Sequence, residues 1–182
     1  MNHLKRDNQK GFTIVELVVV IIILGILAAT ALPRFIDVST DAQLAAYKAT
    51  KGGLITGHQN WRAVWIAKTK PASAAADSVT QFFNASGHIV GTDSSDAALV
   101  NGDCDEIFTS LLGSNAPAIS ASGVASLAAA QTAYGTDSGA YDWYFDTGGS
   151  TTHCDYHYVG AGSSTTGKTL RYTVATGAFS DQ

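Results

Sequence analysis

The sequence predicts an α+β protein in which a long kinked N-terminal α-helix packs on a C-terminal antiparallel β-sheet. Three observations carry the prediction. An uncharged apolar run from Leu17 to Leu32 passes into a helical pattern that meets no proline between Phe35 and Lys70. In the second half of that pattern the large side chains gather on about one third of the helical circumference, a face suited to covering a sheet. The C-terminal third then changes to a period of two, with large apolar residues alternating with polar ones between glycine-rich connectors.

Residues 1–11 are basic, with Lys5, Arg6 and Lys10 against Asp7. Phe12 to Phe35 follows, twenty-four residues broken only by Glu16, Pro33 and Arg34. As a helix this stretch covers about 36 Å, slightly more than the roughly 30 Å hydrocarbon layer of a bilayer. Because it is apolar all round, it suits lipid or the centre of a helical bundle better than one face of a soluble core. A secretory signal peptide and a plain membrane anchor are alternatives, the first supported by the A-x-A-like site Ala29-Thr30-Ala31. Neither accounts for Glu16, since a carboxylate in an apolar span is costly and calls for a partner. The bases before the span, set against Arg34, Asp37 and Asp41 after it, place the N-terminus in the cytoplasm and the bulk of the chain outside.

The string GFTIVEL at Gly11–Leu17, preceded by bases and followed by Pro33 near the far end of the helix, resembles the N-terminus of type IV pilins and their secretion-system relatives. ELVVVIIILGILAATALPRF, continuing into IDVSTDAQLAA, is most similar to pilins of the mannose-sensitive haemagglutinin (MSHA) type. The resemblance covers about thirty residues and implies the type IV pilin fold. It also implies that prepilin peptidase cuts between Gly11 and Phe12, that the new Phe12 amine is methylated, and that Glu16 pairs with such an amine to set subunit register. Other pilin subunits in a homopolymer, prepilin peptidase and the inner-membrane pilus assembly machinery are the implied partners, with a surface or glycan target as a candidate. The implied location is the inner membrane before assembly, then an extracellular pilus on the surface of a Gram-negative bacterium.

The domain division follows. Residues 1–11 are a cleaved leader peptide, and 12–35 a hydrophobic half-helix, transmembrane before assembly and in the filament core afterwards. Residues 36–70 are an amphipathic half-helix, and 71–182 a globular head with an antiparallel sheet and a disulfide. Pro33 reads as a kink within one helix, because it removes a backbone donor while the pattern resumes after it. In the second half-helix Leu44, Tyr47, Leu54, Trp61 and Trp65, joined by Lys51 and His58, form the face expected to cover the sheet. Opposite lies a ridge of small residues that includes Ala46, Ala49, Gly53 and Gly57. Such ridges let helices approach closely, so Gly53 is expected to face other subunits.

From Pro71 to about Asp103 the composition suggests a surface loop, with His88-Ile89-Val90 as strand or loop. Asp105–Leu112 suits a short helix with Ile107, Phe108, Leu111 and Leu112 buried and Gly113 closing it. Ala118–Ala133 is low in bulk and fits helix or loop. Tyr141, Trp143 and Phe145 share one face of a strand, as do Cys154, Tyr156 and Tyr158, and again Leu170, Tyr172 and Val174. A last short strand centres on Phe179, giving three or four antiparallel strands whose cover is the long helix. Connectors at Thr147–Thr152 and Gly160–Gly167 separate them. Two cysteines, Cys104 and Cys154, are an even count in a chain sent to an oxidising compartment, and one intrachain pairing is available to them.

Without the leader's three bases and one acid the chain keeps 8 Lys+Arg against 14 Asp+Glu, a balance of −6. That excludes nucleic acid as a natural partner, since phosphate binding needs a basic surface. His153, Asp155 and His157 alternate on what reads as the solvated face of a strand, which argues against a metal site there. Asp103, Asp105 and Glu106 offer oxygens for calcium, but without EF-hand spacing. No nucleophile elbow, phosphate loop or zinc-protease string occurs. The prediction is a protein with no enzymatic activity, no cofactor and no metal: a pilin subunit used for adhesion. A type II secretion pseudopilin and a secreted soluble binding protein cut after Ala31 are the alternatives.

Overall fold

The structure, a computed structural model, describes residues 12–76, 78–92, 99, 103–137, 139–146, 152–160 and 167–182, with side chains left undescribed at 32–39. The leader and Gly11 lie outside these residues, as do 147–151 and 161–166 of the two glycine-rich connectors. So do the side chains of Pro33, Arg34 and Asp37. The described chain divides into two compact units between Ala42 and Gln43.

One helix, α1 (Ile14–Ala67), runs for 54 residues, and its backbone is helical through Pro33. Its N-terminus is fixed by a capping box. Thr13 Oγ1 accepts from the Glu16 N–H at 3.3 Å, while the Glu16 carboxylate accepts from the Thr13 N–H at 2.8 Å. The helix is followed in the second unit by a small antiparallel sheet of β1 (Ser73–Ala76), β2 (Val79–Phe83) and β3 (Ile89–Gly91), in that order. The described part of the stretch read as a surface loop therefore contains a three-stranded sheet. Alanine, serine and threonine dominate β1 and the start of β2, so no alternation of bulk announces the strands.

Helix α2 (Asp103–Leu112) buries Ile107, Phe108 and Leu111, as its spacing predicts, and buries Asp103 and Cys104 in addition. A single 3-10 turn, Gly113–Asn115, ends it, with Gly113 at φ +61°, a conformation glycine adopts without steric cost. Helix α3 (Leu127–Thr136) begins at Ser126, whose side chain accepts from the Ala129 N–H. The main sheet is a simple antiparallel meander of β4 (Trp143–Phe145), β5 (His153–Tyr158), β6 (Lys168–Thr173) and β7 (Ala178–Asp181).

The core forms where α1 and α2 cover one face of this meander. Tyr47 stacks on Trp143 with ring centres 5.7 Å apart, and Phe108 meets Trp143 and Tyr156 at 5.3 Å each. Leu54, Ile107, Phe108, Tyr156, Leu170 and Tyr172 have no exposed surface. Burying such side chains supplies about 1.5–3 kcal/mol each and is the main stabilising contribution here. Two tyrosine hydroxyls tie the main sheet to its neighbours. Tyr156 donates to the Cys104 carbonyl and Tyr172 to the Ile89 carbonyl, each at 2.8 Å.

Along β4 and β5 the other face of the meander is not solvated, which corrects the sequence reading, whereas Ala178 and Ser180 of β7 are exposed. Tyr144 and Val159 pack with Ala130 of α3 in a second apolar cluster, and β5 is buried from Cys154 onward. Asp155 and His157 are 7% and 4% exposed. Asp155 pairs instead with Arg171 of β6 and His157 Nδ1 with Thr169, while the buried Nε2 of His157 has no hydrogen-bond partner among the described residues. An alanine-rich helix has too little bulk to register in sequence as a sheet cover, yet its slimness lets it approach the tyrosine closely.

Candidate functional site

The functional segment is the first half of α1. Ile14–Ala31 has a mean hydropathy of 2.9, and among the described residues none of it is buried. By length and composition it can cross a membrane. Phe12 and Ile14 are 93% and 80% exposed. An apolar surface of this extent marks a membrane or protein interface, since soluble monomers rarely leave such patches open.

Glu16 sits within this surface and is exposed. Both bonds from Thr13, from its N–H at 2.8 Å and its hydroxyl at 2.9 Å, fall on Oε2. Its partner in the single chain is thus the end of its own helix. The signal was present in the sequence as Thr13-Ile14-Val15-Glu16, a T-x-x-E string ahead of an apolar run, and the sequence reading, which gave Glu16 a Phe12 amine as partner, did not use it. Gly11, one side of the expected cut, lies outside the described residues, and Pro33 is described by its helical backbone alone.

Gly53 does not lie on an open face. A Cβ there would meet Leu112 Cδ2 at 2.7 Å, and one on Gly57 would meet the Leu111 carbonyl oxygen at 2.3 Å. This end of the small ridge seats α2 of the same chain. Gly52, by contrast, is exposed, and a Cβ added to it would meet nothing within 4 Å.

Cys104 and Cys154 are joined, with Cα atoms 5.6 Å apart, so the first turn of α2 is tied to β5. Asp155 makes a two-point ion pair with Arg171, at 2.7 Å to Nε and 2.6 Å to Nη2. His157 Nδ1 lies 2.9 Å from Thr169 Oγ1, and burial holds its pKa below the usual histidine value. His153 Nε2 lies 3.9 Å from Asp155. Among the described residues no group of three or more His, Cys, Asp or Glu is placed to hold a metal ion.

Two further features were not legible beforehand. His58 and His88 stack with ring centres 5.4 Å apart, and Arg62 Nη1 lies 3.1 Å from His88 Nδ1. Burial first, then His88 and Arg62, push the His58 pKa down to about 4, and its Nε2 has no hydrogen-bond partner. At the other end of the face, Tyr47 donates to Asp181 Oδ1 and Lys51 pairs with Oδ2 at 2.9 Å. The Tyr47 bond, reinforced by Lys51, holds the Asp181 carboxyl below its ordinary value.

Residues 6–32 match the family model of the prokaryotic N-terminal methylation motif. The chain is 41% identical over 71 residues to the fimbrial protein EcpC of Eikenella corrodens, covering 37% of this chain and 46% of that protein. It is 54% identical over 41 residues to the type IV narrow pilus major component PilA5 of Thermus thermophilus, covering 22% and 35%. Against the type IV major pilin protein PilE1 of Neisseria gonorrhoeae it is 57% identical over 37 residues, covering 20% and 22%. The chain spans less than half the length of each of these relatives. No solved structure matches it.

Proposed function

We propose that this chain is a structural pilin subunit that polymerises through its N-terminal helix into a type IV pilus used for surface attachment, and that it is of the MSHA type. One observation carries the reading: an apolar half-helix with no buried residue among those described begins directly after a basic segment within the methylation motif. Similarity to three pilus and fimbrial proteins supports it, and the MSHA subtype rests on the wording of residues 16–46 alone.

On this reading prepilin peptidase cuts between Gly11 and Phe12, and the freed Phe12 amine is methylated. The inner-membrane assembly machinery then moves the subunit from bilayer to filament, where neighbouring subunits replace lipid around Ile14–Ala31. Glu16 Oε2 is engaged by Thr13, so Oε1 is the oxygen that meets the amine of Phe12, in the same chain or a neighbour. A carboxylate left unpaired in that apolar bundle costs several kcal/mol, which makes the pair a register device more than a source of stability. Pro33 supplies the weak point in the helix. Gly53 serves assembly indirectly by seating α2, and the exposed Ala46 on the same ridge offers a surface for other subunits.

The test is the intact mass and N-terminal peptide of the mature protein from its native cell. A chain starting at methylated Phe12 is the expected result. A chain starting at Leu32, cut after Ala31, would make the apolar run a discarded signal and end the filament reading.

A further inference from the structure

A cleft of about 950 Å³ opens between the second half of α1, the β1–β2 hairpin and α2, all within the second compact unit. Its lining combines an aromatic plate with planar and hydroxyl hydrogen-bonding groups. Trp143 and Trp65 are 1% and 6% exposed, so Trp61 is the tryptophan that keeps accessible surface, and it lines this cleft. Asn60 lies beside it, Glu106 stands on α2, and Thr80 and Thr109 add hydroxyls. The Glu106 carboxylate is oriented by a hydrogen bond donated from Thr92 Oγ1.

The charge pattern selects among ligands. Among the described lining residues Glu106 is the one ionisable side chain and none is a cation, so an anionic ligand would enter against a charge. A wholly apolar ligand would strand the hydroxyls and the amide without partners. What fits is a molecule with an apolar face to lie on an aromatic ring and a rim of hydroxyls to meet amide, carboxylate and hydroxyl groups, which describes a neutral sugar. The cleft shares Gly57, Asn60, Leu111 and Leu112 with a second one of about 450 Å³ along α1. None of the described residues lining that extension is ionisable. The two together make a path for several rings in a chain.

We infer that this cleft, with Trp61 as platform and Asn60 and Glu106 as polar anchors, binds a neutral oligosaccharide. The inference rests on the attachment function proposed above and gives it a site.

The experiment uses the full chain in a detergent without sugar groups. It is titrated with linear tetrasaccharides of glucose, mannose, galactose and N-acetylglucosamine, with sialyllactose as an anionic control, reading tryptophan fluorescence and heat. Saturable binding of at least one neutral tetrasaccharide is expected, weakened about tenfold or more in Trp61→Ala and largely retained in Trp61→Phe. Because Trp61 also touches the core, Asn60→Ala at an exposed position is the second variant and should weaken the same ligand. The inference is overturned if no neutral tetrasaccharide binds saturably, if sialyllactose binds in preference, or if both alanine variants leave binding unchanged. Filament formation in cells separates the two claims. Wild-type filaments that bind no sugar sink the cleft alone, whereas a wild type that makes no filaments sinks the subunit reading.

Discussion

Acidification should loosen the second unit through His58. This histidine is 6% exposed, stacked on His88, with Arg62 on the far side of that ring and the edges of Tyr172 and Phe179 around it. Its pKa falls from 6.5 to about 4 in the folded chain, so between those values the unfolded chain binds a proton that the folded chain refuses. Stability is therefore full above the unfolded value and declines as pH falls from 6.5 towards 4. At full effect the difference is about 3 kcal/mol, and solvent screening at the rim of the cluster reduces it to about 2 kcal/mol. The assay is urea unfolding of the detergent-solubilised chain at pH 7.5 and pH 4, followed by tryptophan fluorescence. His58→Gln cannot titrate, so whatever it costs is the same at both values. The wild type should lose about 2 kcal/mol more than the variant on acidification. Equal losses in the two proteins would refute the reasoning, since acid sensitivity would then come from other groups such as His157.

Two more outcomes follow from the packing. Replacing both Cys104 and Cys154 by serine opens a loop with a sequence separation of 50, which should lower stability by up to about 4 kcal/mol. Unfolding curves with and without reductant check it, and coincident curves would count against the bridge as a major support. On α1 two neighbouring glycines should respond with opposite signs. Gly52→Ala meets open space and should stabilise by about 0.5–1 kcal/mol, whereas Gly57→Ala drives a methyl into the Leu111 carbonyl and should destabilise by about 1–3 kcal/mol. Thermal unfolding of both variants distinguishes this from a uniform helix-propensity effect.

Those residues also mark where the sequence could be read. Tyr47, Leu54 and Trp65 were legible as a covering face because bulk at helical spacing has one ordinary use. Trp143, Tyr156 and Tyr172 were legible because period two is specific to strands. The small sheet was not, because Ser73–Ala76 carries no bulk to alternate. Nor was the second face of the meander, where an alanine-rich helix covers Tyr144 and polar residues pair across strands instead of meeting water. For the functional segment the sequence was nearly sufficient, since an uncovered apolar helix is defined by its own composition. Glu16 was the exception, because the N–H and hydroxyl that engage it belong to Thr13 and the T-x-x-E signal is shorter than the motif that contains it. For Gly53 the contact with Leu112 of α2 was not legible, because whether a small ridge meets its own α2 depends on how the chain folds back.

The bond between Cys104 and Cys154 also bears on how a fibre of such subunits would respond to tension. A pulled chain can lengthen only by the contour that lies outside covalent loops. With a sequence separation of 50, this loop withholds about 170 Å of extended chain from any stretching of the subunit. Residues 105–153, with α3 and the first strand of the meander among them, would be carried through the strained state as an unloaded parcel. Force would pass from Cys104 to Cys154 through sulfur, and the segment between them would keep its shape while the chain on either side gave way.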